Sequence, residues 1–264
     1  MQPFAEIGPV SHVNAAATNG ITVSHSGSAA GVFPTTPTQL VASLDVDASA
    51  LLVAIIQDGA SRVSQVKLFA GAAGVEAEFA HLIGPAGGSG QNVFYVPIKV
   101  PAGTRISATS ASSIGFSDAY VCITPLRGSS ESPGAARGTP VGIIAAGEMV
   151  DVDAGATAHT KGAWAQITAS TARDALGFTL VIINDASSTA SSQHLVDIAV
   201  GAAGSEVVIL SNMQAFFQGF QGGETVVGPI WTPIPAGSRI AARAQCSVTA
   251  ADTRVARCGL ILWE

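Results

Sequence analysis

The sequence predicts an all-β protein made of two tandem, duplicated antiparallel β-sandwich domains, jelly-roll-like or Ig-like. Three observations predict it. The chain repeats itself, helical periodicity is nearly absent, and short β-favouring runs alternate with Gly, Pro, Ser and Asn throughout. An internal repeat decides the architecture before any single element is assigned. Here Gly71-Ala-Ala-Gly74 returns as Gly201-Ala-Ala-Gly204. Pro101-Ala-Gly103, followed by Thr, Arg105 and Ile106, returns as Pro235-Ala-Gly237, followed by Ser, Arg239 and Ile240.

The matched blocks keep their order. Gly20 and Gly147, Gln39 and Gln166, and Asp58 and Asp185 lie 127 positions apart. The Gly-Ala-Ala-Gly pair lies 130 apart, the Pro-Ala-Gly pair 134 and the last cysteines 136. A constant offset that then grows in small steps is the mark of a duplicated domain with loop insertions. The expected boundaries are 1–128 for the first sandwich with an extended N-terminal arm, 129–140 for a flexible connector, and 141–264 for the second sandwich.

Residues 1–50 are rich in Ala, Ser, Thr, Gly and Pro, and Pro3 and Pro9 suit an extended arm. Gly20-Ile-Thr-Val is β-favouring. Gln39 to Asp47 alternates apolar and polar residues, the period of a strand. Leu51 to Asp58 is a short continuous apolar run, expected as a central strand buried on both faces. Further strands are predicted at Val66–Phe69, Val75–Phe79, Val93–Val100, Arg105–Thr109 and Phe116–Thr124. Leu126 to Pro140 reads as the connector. Thr171 to Leu176 can form one helical turn at most, ended by Gly177.

The repeated turns have a physical reading. Pro101 and Pro235 fix φ and lack an amide hydrogen, which suits a turn start. Gly103 and Gly237 supply the positive φ of a tight turn. In the strand that follows, Ile240, Ala242, Ala244 and Cys246 share the core face. Arg239, Ala241, Arg243 and Gln245 share the other, with Arg105 at the matching place in the first repeat. Arg239 and Arg243 are candidates for contacts across a subunit interface, where arginine is enriched; the alternative is ordinary solvated strand residues.

Composition narrows the partners. Hydrophobic residues make up 48% and charged residues 11%, against a usual charged share of about 25%. A soluble monomer covers itself with charge, so a homo-oligomer is expected. With 12 Lys and Arg, no basic cluster and a net charge of −6, neither nucleic acid nor an anionic membrane surface is an expected partner. No 18-residue apolar run offers a membrane span. The N-terminus lacks the pattern of a secretory signal, so synthesis in a cytoplasm is expected.

Little chemistry is indicated. Cys122, Cys246 and Cys258 are an odd number without CxxC spacing and read as small buried hydrophobes, with a Cys246–Cys258 bridge as an unsupported option. His12, His25, His81, His159 and His194 lie at no ligand spacing. Asp45-Val-Asp47 and Asp151-Val-Asp153 resemble fragments of calcium loops but lack the glycine and the downstream glutamate. Nucleophile elbows, phosphate loops and dinucleotide fingerprints are missing. No catalytic, cofactor-binding or metal-ligating residue is predicted, and no enzyme activity.

The most unusual stretch is Met213 to Gly223, expected as a loop, where Phe216, Phe217 and Phe220 stand among Gly and Gln, followed by Trp231. Exposed aromatic residues mark contact surfaces; the alternative is that these rings cap their own core. With Arg239 and Arg243 they form the predicted interaction surface.

The stretch 233–245, Pro-Ile-Pro-Ala-Gly-Ser-Arg-Ile-Ala-Ala-Arg-Ala-Gln, in an Ala/Gly/Ser/Thr-rich chain without helices, resembles virion structural proteins of tailed bacteriophages and phage-like particles. The resemblance implies a sandwich that decorates a head or forms part of a collar, tail or fibre. It implies as partners the chain itself and other virion proteins, and as location the virion. It transfers no site residues, because the pattern describes a turn and a strand. A carbohydrate-binding tandem sandwich, with a host-surface glycan as partner, is the alternative. A glycosidase or depolymerase would need a carboxylate pair in a cleft.

Overall fold

The computed structural model describes residues 21–24, 30–57, 63–85, 91–113, 118–127, 134–144, 147–184, 190–217 and 224–264. The expected N-terminal arm, Phe116 and Phe220 lie outside the described residues. The chain divides into one unit of Met1–Thr139 with Trp263–Glu264, and a second of Pro140–Leu262.

The first unit holds β1 (Ile21–Val23), β2 (Thr38–Val41), β3 (Ala50–Gln57), β4 (Val63–Ala70), β5 (Ala77–Pro85), β6 (Gln91–Val96), β7 (Ile106–Ser112) and β8 (Ala119–Leu126). β9 (Gly138–Val141) begins at its end. One sheet has the order β1-β8-β3-β6, and in the other β2, β7, β4 and β5 are neighbours, all antiparallel. Only β4 and β5 are paired consecutive strands; every other consecutive step from β1 to β8 changes sheet. Eight strands in two sheets wound this way make a jelly roll. An Ig sandwich, with its different seven-strand arrangement, is set aside.

The second unit repeats the arrangement with β10 (Val150–Asp153), β11 (Ala165–Thr168), β12 (Gly177–Asn184), β13 (Ser192–Val200), β14 (Val207–Phe217), β15 (Glu224–Ile230), β16 (Ile240–Cys246) and β17 (Val255–Trp263). β10 pairs β17 and β12 pairs β15, while the other sheet runs β11-β16-β13-β14. The strand offsets reproduce those of the sequence blocks: 127 positions from β3 to β12 and 134 from β7 to β16. Among the described residues no α-helix forms, and Thr171–Leu176 makes none.

The strand pattern follows from burial. Phe178, Leu180 and Ile182 of β12 meet Val196 and Ile198 of β13 in the core of the second unit, with Ile240, Ala242, Ala244 and Cys246 on the predicted inner face of β16. Each large side chain fully buried here contributes about 1.5–3 kcal/mol. The run from Leu51, expected to be buried on both faces, buries Leu51, Val53 and Ile55 of β3 but leaves Leu52, Ala54 and Ile56 half-buried, whereas its repeat equivalent β12 is buried on both faces. No disulfide joins the three cysteines; Cys122 is half-buried, Cys246 and Cys258 lie within the core, and burial pushes the Cys258 thiol up to about 12.

The duplicated turns are locked by a duplicated set of polar contacts. Gly103 and Gly237 take φ of 78° and 80°, and Gly74 and Gly204 take 82° and 83°. Glu206 Oε2 accepts from the Gly204 amide at 2.9 Å, and Oε1 receives Arg239 Nη1 at 3.0 Å, while Arg239 Nε donates to Gln166 Oε1 at 3.2 Å. In the first unit Glu76, Gly74, Arg105 and Gln39 make the same contacts. Asp47 and Asp174 likewise accept the amides of Ala102 and Ala236.

Residues 138–140, expected in the flexible connector, belong to β9 instead. Gly138 pairs in parallel with Ala80 of β5. A Cβ at Gly138 would stand 2.5 Å from the Trp263 ring, so the strand can lie there only as glycine. Arg137 and Glu264 exchange main-chain hydrogen bonds beside it.

Candidate functional site

The predicted surface residues separate. Phe217 is fully buried in the second core, with His194 4.9 Å away between ring centroids, so its assignment to an interaction surface is corrected. The cause is strand alternation. β14 continues to Phe217, where a loop was expected, and its successive side chains point to opposite faces. Phe216 points outward and is 51% exposed. Trp231 is 41% exposed but follows β15, in the other sheet, next to Gly177. Arg239 is committed to Glu206 and to Gln166 of β11, which tie its turn to neighbouring segments of the same unit. Arg243 and Phe216 share one surface: the outer face of β11-β16-β13-β14.

Register builds that face. Gln193 stands opposite Phe216, and Leu195 stands between Gln214 of β14 and Gln245 of β16. Asp197 stands opposite Arg243. Phe216, Gln193 and Gln214 are exposed, and Leu195, Gln245 and Arg243 half-buried. Strands about 4.8 Å apart with same-face residues about 6.7 Å apart set these side chains in a shallow strip. At its other end Arg243 lies over the Trp164 ring, 4.5 Å from its centroid.

One carboxylate anchors the strip. Asp197 is 3% exposed, and its oxygens receive Lys161 Nζ at 2.8 Å, Arg243 Nε at 3.0 Å and the Asn212 amide at 2.8 Å. Asn212 reaches it through a bulge in β14, at a φ of 54°. Burial by itself would raise the Asp197 pKa, but hydrogen bonds from Lys161, Asn212 and Arg243 outweigh it and hold the carboxyl below its usual range. Two cations around one anion leave the cluster with one net positive charge.

The same face of the first unit is closed. Gln65 and Ala111, which occupy the places of Leu195 and Gln245, are 3% and 0% exposed, and Ile83, at the place of Gln214, is 0% exposed. Phe33 lies 4.6 Å over Lys67 Nζ and meets the His81 ring edge-on at 5.2 Å. The two repeats therefore share a scaffold and differ in whether this face is open.

Other carboxylates among the described residues serve the frame. Glu78 pairs with Lys67, Asp153 with Arg254, and Asp151 and Glu148 with Arg257. No group of three or more His, Cys, Asp or Glu among the described residues is placed to hold a metal ion.

Sequence reasoning missed Trp164, Lys161, Asp197 and the three glutamines. Asp197 carried a signal: it is the single charge inside the apolar run Leu195–Val200. The glutamines carried none until strand register aligned them.

No family model matches the chain. No curated protein matches it either. Among solved structures, PNGF-II in a C2 crystal form aligns with 97% of this chain at 7% identity and a TM-score of 0.32, and the chain spans 64% of its length. The tandem CBM22-1–CBM22-2 domains of Paenibacillus barcinonensis Xyn10C align with 91% of this chain and 85% of their own, at 9% identity and a TM-score of 0.26. At scores this low the jelly-roll assignment stands on strand order alone.

Proposed function

We propose that this chain is a non-enzymatic recognition protein whose second jelly roll contacts a glycan through the outer face of β11-β16-β13-β14. The observation that carries the reading is the opening of this face in the second repeat where the first repeat closes it. Glutamine amides both donate and accept, which suits the paired hydroxyls of a sugar ring. Phe216 offers an apolar ring face to sugar C–H groups, and the Lys161–Asp197–Arg243 cluster fixes the far end of the strip. Immobilised wild-type protein is expected to retain glycans from an array. The double substitution Phe216→Ser with Gln214→Ala is expected to lower retention at least tenfold with an unchanged melting temperature. A wild-type protein that retains no glycan would overturn the reading.

A second reading, assembly into a virus particle as a head-decoration, collar, tail or fibre subunit, is favoured by the 11% charge content and by the charge-free strand β14. Labelling purified particles with an antibody to the chain tests it, and unlabelled particles would sink it. The two readings are compatible in a virion protein that touches its host.

A further inference from the structure

The edge of β14 differs from the equivalent edge in the first repeat. There, the outer side of β5 takes a parallel partner, Gly138 of β9 on Ala80. β14 pairs β13 on one side, and no described strand pairs its other side. An unpaired edge presents a row of main-chain donors and acceptors that template a further strand. Proteins blunt such edges by shortness, charge, proline or bulges. Edge strands β1, β2 and β11 have three or four residues, and β15 carries Pro229. β14 has eleven residues, Val-Val-Ile-Leu-Ser-Asn-Met-Gln-Ala-Phe-Phe, with neither charge nor proline. Its two register shifts end at Asn212, so Met213–Phe217 pairs in unbroken register with Val196–Ser192.

We propose that Met213–Phe217 of β14 pairs antiparallel with the same segment of a second molecule about a twofold axis, making one eight-stranded sheet from two β11-β16-β13-β14 sheets. The occupant is a second copy because the segment is uncharged and self-complementary in an antiparallel pairing, so one strand serves both sides of an isologous interface. A chain with 11% charged residues also needs partners to cover its surface. The pairing sets two open outer faces side by side. It does not depend on what those faces bind.

Light scattering at micromolar concentration is expected to give twice the 26.4 kDa chain mass. Gln214→Lys with Phe216→Lys puts like charges across the twofold and is expected to halve that mass. Hydrogen exchange of the wild type supplies a measurement without substitution: amides of Met213–Phe217 exchange more slowly as protein concentration rises. A wild type at the single-chain mass, a dimer that survives the lysines, or concentration-independent exchange at Met213–Phe217 would each overturn the pairing. A dimer that retains no glycan overturns only the glycan reading, and a glycan-binding monomer overturns only the pairing.

Discussion

Phe216 and Phe217 are chemically alike and adjacent, yet one is half exposed and the other fully buried. Phe217→Ala is expected to cost about 3–5 kcal/mol in urea unfolding, the range for a buried aromatic ring, while Phe216→Ala changes stability by less than about 0.5 kcal/mol. Equal costs would contradict the register of β14. The histidines give a second residue-scale expectation. Burial, with smaller contributions from Lys67 and Arg137, lowers the His81 pKa to about 3, and burial lowers that of His194, whose Nε2 lies 3.2 Å from the Arg254 carbonyl. Both folded values lie below the unfolded one, so the unfolded chain binds more protons as pH falls through about 6.5. Stability is then complete above that pH and declines toward pH 3 for His81. Between pH 7 and 5, before the carboxylates titrate, His81 contributes a loss of about 1–2 kcal/mol. Denaturation of wild type and His81→Gln at both pH values checks it, and the variant's profile should be flatter.

At the scale of elements, the turn that occurs twice is a frame and no site. Arg239→Ala leaves the Glu206 carboxylate, whose side chain is 7% exposed, without its cation, and is expected to lower the denaturant midpoint measurably. Arg105→Ala should lower it similarly, since Glu76 is equally covered. Lysine should not restore either turn, because an ammonium cannot replace the guanidinium fork that spans Gln166 and Glu206. Unfolding of the four variants in denaturant is the measurement, and full rescue by lysine would break the argument. The turn glycines, the repetition of one succession of strands in both halves and the core face of β16 were legible in the sequence because φ demands and period-2 patterns are local; the strand order that makes each half a jelly roll was not. The contacts between Arg239 and Glu206 were not, because they join residues 33 positions apart. Phe217 was misplaced for a related reason: Gly and Gln around it suggest a loop, but pairing with Ser192 continues the strand. The open face itself is a property of register, which no single segment of sequence contains.

For the whole molecule, duplication supplies two jelly rolls from one plan, and divergence then acts on what each exposes. In the first repeat the outer face is buried and the β5 edge paired; in the second the corresponding face is open and no described strand pairs the β14 edge. A chain with a net charge of −6 but only 11% charged residues has little electrostatic repulsion to keep copies apart, and an open uncharged edge gives association a defined place. If folding is linked to that association, mass action makes the folded state more stable at higher concentration, because the dimer contains folded chains only. The melting temperature should therefore rise over a hundredfold increase in protein concentration. Linkage limits the gain to about 2.7 kcal/mol when the free partner stands at a hundred times the dissociation constant, which is a shift of a few degrees for units of this size. The lysine-substituted edge should show a melting temperature independent of concentration. A wild type whose melting temperature is equally flat would mean that the second repeat stands open in solution, and that its exposed face serves a molecule other than itself.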